Sequence, residues 1–426
     1  MQPERSNDPY QQPYQSPPSS IEPPTEPTEP ATAPQSQWQP PQEVPKKPKR
    51  RFAFILAAIV IVLVAVAAAA VAYFTVKASS DASFKQAVES VNEMVAGRMP
   101  AEQKLNASLA EATSTEANMG LLSDPDAANE MRAQVEIAVD DYLKDCANFK
   151  QTFYDADQLP RATDMPLLSP QKKSLLNKMK VELAAYEKST CIETKAQAGY
   201  TFFMLDMIGA YYDILSNASY LTGSGTGSEA VNEPSLSGLA PFADSYTITY
   251  EKEIRDAYGD EVAVAIRTMS DYLKDMHTFF KQASEDMENI DPNKLDEINK
   301  AFTDSEATDT LDSAIKKQYE ESFKRSHNMY VTMKSASNAA DAANYSEPVY
   351  VGSVVYNALN RYKNENDHLP RSDSTSDAMT EMKSAKIIAP NAQYPTDNIT
   401  YENTGINEGS LKVVDPINNK TYEFSI

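Results

Sequence analysis

Phe52 to Val76 is a run of 25 residues without a single charge, and its only polar groups are the hydroxyls of Tyr73 and Thr75. At 1.5 Å per residue, a helix of this length crosses the ~30 Å hydrocarbon core of a bilayer with some tilt. Lipid offers no partners to backbone N–H and C=O groups, so the segment must be helical if it spans. The run also admits a reading as a cleaved signal peptide, with an A-x-A pattern at Ala70 and Ala72. Its length and the 51 residues before it favour an uncleaved anchor.

The flanks set an orientation. Lys46, Lys47, Lys49, Arg50 and Arg51 precede the run, and only Lys77 follows before Asp81. The positive-inside rule then places the N-terminus in the cytoplasm and residues 77–426 outside. A basic cluster of this kind also fits a nuclear localisation signal, but beside an apolar 25-mer it reads as a topology signal that can touch anionic headgroups.

Charge and proline divide along the same line. Residues 1–51 carry 14 of the 27 prolines, six basic and six acidic residues. The whole formal charge of −22 therefore falls on residues 77–426. So acidic an exterior excludes nucleic acid as a partner, favours basic ones and keeps the segment soluble. Residues 1–51 form a proline-rich tail too poor in apolar groups to offset chain entropy, and disorder is expected there. Pro24, Pro27 and Pro30 repeat at the polyproline II period, as in a docking ligand for a cytoplasmic partner or a solvated spacer. The tail carries no signalling-enzyme module.

Beyond the span the pattern is mainly helical. Met131, Val135, Val139, Tyr142, Cys146, Phe149 and Phe153 recur every three or four residues. Ser169-Pro170 starts a second face with Leu175, Met179, Leu183 and Tyr186. Tyr200, Phe203, Met207, Tyr211 and Ile214 make a third, read as bundle core rather than a binding stripe. A Gly-, Ser- and Pro-containing linker at 223–241 separates this subdomain (77–222) from a second (242–345). In the second, Tyr250, Ile254, Ala265, Met269, Leu273 and Met276 resume the period, and Asp291-Pro292 restarts a helix before Leu311, Ile315, Tyr319, Phe323 and Tyr330. Asp141-Tyr142-Leu143-Lys144-Asp145 repeats as Asp271-Tyr272-Leu273-Lys274-Asp275, each followed by Phe-Lys-Gln, which suggests an internal duplication.

Cys146 and Cys191 are the only cysteines. In an oxidising exterior they suggest a disulfide, whose loop closure is worth ~4 kcal/mol in the chain-entropy model; two buried thiols are the other reading. His277, His327 and His368 stand apart in sequence, and no metal, cofactor or nucleophile motif accompanies them. No cofactor and no catalytic activity are expected.

Residues 346–426 read as a small α+β module. A helix carrying Ala358, Leu359 and Tyr362 is followed by Asn-x-x-x-Pro ending at Pro370, then by strand-like runs at Ile399–Tyr401, Leu411–Val414 and Thr421–Phe424. This helix, from Tyr356 to Asn364, with its proline-ended connection and small antiparallel sheet, resembles the soluble part of bacterial pilins and pseudopilins over about 75 residues. The resemblance implies a module shape rather than an activity. Together these features describe a single-pass protein of a bacterial cell membrane, N-terminus inside, whose helical exterior acts in surface binding or structural interaction with an envelope partner. A ligand-sensing exterior coupled to a partner of the tail is the alternative. An extracellular enzyme would need polar groups, including a histidine or a carboxylate pair, converging in one cleft.

Overall fold

The computed structural model describes residues 50–113, 125–152, 159–187, 193–221, 247–285, 291, 293–372 and 374–426. The proline-rich tail, the linker at 223–241 and the cluster Lys46, Lys47 and Lys49 lie outside the described residues, as do the side chains of Arg50 and Arg51. The disulfide candidate does too, through Cys191 and the side chain of Cys146.

The described chain is mainly helical, with one small sheet at its C-terminal end. Its helices are α1 (Arg50–Thr113), α2 (Pro125–Thr152), α3 (Pro170–Glu187), α4 (Glu193–Leu221), α5 (Glu251–Tyr258), α6 (Asp260–Glu285), α7 (Asn293–Asp304), α8 (Ala307–Ala340), α9 (Glu347–Asn366) and α10 (Thr375–Ser384). Strands β1 (Ile399–Asn403), β2 (Gly409–Asp415) and β3 (Lys420–Ser425) form an antiparallel sheet in the order β1-β2-β3.

The chain divides into two units between Ala65 and Val66. Within the second, α1 changes character abruptly. Val66 to Ser79 is exposed apart from half-buried Ala70. From Ser80 on the same helix turns core-ward: Phe84, Val88, Val91, Met94, Val95 and Met99 are buried at heptad-like spacing. This face packs in one hydrophobic core with Leu176, Met179 and Leu183 of α3, Met333 of α8, Val354 and Leu359 of α9, and the inner face of the sheet. Residues on both sides of 345/346 contribute to this core.

A second crossing is made by α4. Phe202 packs with Val135, Val139 and Tyr142 of α2, while its neighbour Phe203 packs with Ile254, Val262, Ile266 and Leu311 of α5, α6 and α8. The elements on either side of 223–241 thus share apolar contacts. The two copies of Asp-Tyr-Leu-Lys-Asp both lie on helices, but Tyr142 is buried in α2 with Leu143 partly exposed, whereas in α6 Leu273 is buried and Tyr272 partly exposed. Tyr272 stacks instead on Phe302 of α7, with ring centroids 4.3 Å apart.

Local signals account for the breaks. Ser169 Oγ accepts from the Lys172 amide (3.3 Å), and Asp291 Oδ1 from the Asn293 amide (2.9 Å), each at the start of a helix. Gly259 ends α5 at φ +100°, a conformation costly for any residue with a Cβ, and lets α6 begin at once. In the sheet Ile399, Tyr401, Leu411, Val413, Tyr422 and Phe424 point inward, alternating with exposed residues. Asp415 closes the β2–β3 turn, its carboxylate accepting from the amides of Ile417 and Asn418 at 3.0 and 3.3 Å.

Gly352 is where α9 meets β2. A Cβ there would lie 2.6 Å from Val413 Cγ2, and Val413 is fully buried and β-branched. Gly352→Ala is expected to lower stability by about 1–3 kcal/mol in a denaturant titration, because the helix must lift off the sheet.

Candidate functional site

Where polar groups converge, they do so between helices. The first cluster surrounds Pro100 in α1. Arg98 is 2% exposed, and its Nη2 donates to the Tyr142 hydroxyl of α2 (3.3 Å). Its guanidinium lies over the ring of Tyr186 in α3, 5.2 Å from the centroid, and the Tyr186 hydroxyl donates to Glu102 Oε1 (2.8 Å). Burial works against the Arg98 charge, but Tyr186, Tyr142 and Glu102 outweigh it and raise its pKa. Burial likewise pushes both tyrosine hydroxyls above their ordinary range. Neither the Arg98 guanidinium nor the two tyrosine hydroxyls are poised to exchange a proton at neutral pH.

The second is an ion pair across α4 and α8. Glu193, 6% exposed, accepts both Arg325 guanidinium nitrogens (2.8 and 2.6 Å), and Gln318 Nε2 donates to it at 2.7 Å. Tyr258, Tyr200 and Tyr319 accompany it, each with its pKa pushed up chiefly by burial, Tyr200 to about 12. In the third, Arg132 of α2 donates to the buried Asp206 of α4 (2.7 Å) and covers the face of Phe202. The fourth joins α1 to α8 and α9: Asn92 donates to Ser337 and to Asn344, and accepts from the Tyr350 hydroxyl at 2.9 Å.

The partly exposed cluster is aromatic. Along α8 Phe323 stacks on His327, and His327 and Tyr330 meet Tyr394, whose hydroxyl shares a 2.7 Å hydrogen bond with His327 Nδ1. Burial lowers the pKa of His327, so the folded protein favours the neutral ring. The unfolded chain takes up this proton first, near pH 6.5, so the contribution is intact above that pH and is lost as pH falls toward the folded value. His327→Phe is therefore expected to flatten the fall of stability below pH 6.5, read from denaturant midpoints across a pH series.

The three histidines remain apart: His277 lies on α6, His327 on α8, and His368 just beyond α9, bonded to the Leu369 carbonyl. Among the described residues no three His, Cys, Asp or Glu side chains gather as metal ligands would. Five asparagines begin an N-x-S/T sequence; Asn106 and Asn344 are hydrogen-bonded and partly buried, Asn398 and Asn419 are exposed, and the side chain of Asn217 lies outside the described residues. The polar tethers at Arg98, Glu193 and Asn92 were not legible in sequence. Each pairs groups from distant helices, and the sole cue was a charge or amide inside an otherwise apolar helical face. Chemically, these arrangements fix helices to one another.

No family model matches this chain, and neither a curated protein nor a solved structure does.

Proposed function

We propose that the chain is a single-pass membrane protein of a cell envelope, with its N-terminal tail in the cytoplasm and residues 77–426 outside. The exterior works by binding or structural interaction rather than by catalysis. One observation carries this reading: within the folded unit, one helix bears both the exposed end of an apolar run and a face of the core. The helix is long and apolar enough to cross a membrane. Exposing Ile61, Leu63, Val71 and Phe74 to water is unfavourable, and a bilayer would cover them. The clusters described above support a scaffold, since they hold helices in place, and the acidic exterior suits a basic envelope partner.

The test uses the full chain tagged at both ends. The protein should stay in the membrane pellet through an alkaline wash. Protease added to intact spheroplasts should remove the C-terminal tag and spare the N-terminal one. Cross-linking on intact cells should capture an envelope protein. Release by the wash or loss of the N-terminal tag would count against the topology, and capture of a tail-bound cytoplasmic partner alone against the surface role.

A further inference from the structure

Pro100 has no N–H, so the Ala96 carbonyl, one turn earlier in α1, loses its helical donor. The replacement comes from the far end of the chain. The Tyr422 hydroxyl of β3 reaches the Ala96 carbonyl at 3.5 Å, across 326 residues of sequence. Past the proline, Asn106 accepts from the Ser425 amide of the same strand (2.9 Å) and donates to the Tyr356 hydroxyl of α9. On the side of α2 and α3, Arg98 and Glu102 bracket Pro100 and are held by Tyr142 and Tyr186.

We propose that β3 is a latch across the proline break of α1. With β3 docked, the stretches of α1 before and after Pro100 hold as one helix; with β3 displaced, Pro100 becomes a hinge. A partner that engages or lifts the C-terminal hairpin would thereby change the stiffness of α1, by binding one of its two states more tightly. The device does not depend on the chemistry of the partner or on the membrane reading.

The experiment is amide hydrogen exchange on the full chain in lipid nanodiscs, comparing wild type with the double variant Tyr422→Phe/Asn106→Ala. Exchange at Glu102 to Leu105 should accelerate about fivefold or more, while Met329 to Ala336 of α8 stay unchanged. The decisive arm repeats this in a Pro100→Ala background, where the Ala96 carbonyl regains a helical donor. There the double variant should accelerate exchange by less than about twofold. No change in the first comparison, acceleration spread evenly over α8, or an equal effect with and without Pro100 would each overturn the latch.

Discussion

Glu193→Ala is expected to destabilise the folded unit by about 3 kcal/mol, because it strands the Arg325 charge between α4 and α8. The figure sits at the low end for a broken buried pair, since the Arg325 side chain keeps 20% of its exposure. Gln318 loses its acceptor as well. The comparison that isolates the charge is Glu193→Leu with Arg325→Met. Removing both partners leaves no uncompensated ion, and this pair should recover most of the loss. Denaturant unfolding followed by circular dichroism reads both. A single substitution costing under about 1 kcal/mol would mean the pair is solvated and holds little.

The second large effect separates two phenylalanines on one helix. Phe84 is fully buried and Phe74 is 67% exposed. Phe84→Ala should lower the stability of the folded unit by about 3–4 kcal/mol, through lost transfer energy and the cavity left among α1, α3 and the rest of the core. Phe74→Ala should leave that stability unchanged in the same measurement, while weakening retention in the membrane. Equal effects on unfolding would show that the exposed stretch belongs to the core after all.

These two substitutions also mark what the sequence could and could not reveal. The apolar run, the helical periods and the starts at Pro170 and Asn293 were legible because they rest on local physics: hydropathy, capping, and a proline's missing donor. The three strands were legible from alternation and from turn residues such as Asp415. Helix α10 was not, since its Ser374-Thr375-Ser376-Asp377 start looks like loop; Ser374 Oγ in fact accepts from the Asp377 amide at its N-terminus. Packing partners were less legible, because cores form between elements far apart in sequence. Nothing local says that Phe84 of α1 shares a core with Phe424 of β3, or that Phe202 and Phe203 face different neighbours. The buried tethers follow the same logic. Arg98 lies in a helix whose charge could as well face water, and Tyr142 and Tyr186, supplied by two other helices, help to make its burial tolerable together with Glu102.

We propose that within the folded unit α1 carries both the exposed apolar stretch from Val66 and the core face from Ser80. Amide exchange on the wild-type chain in lipid nanodiscs tests it most directly. Peptides covering Ile59 to Met99 should be protected throughout, the first part by lipid and the part from Ser80 by the core, with no fast-exchanging gap between Val76 and Phe84. A rapidly exchanging stretch between those two residues, or unprotected amides from Ile59 to Val76, would contradict it.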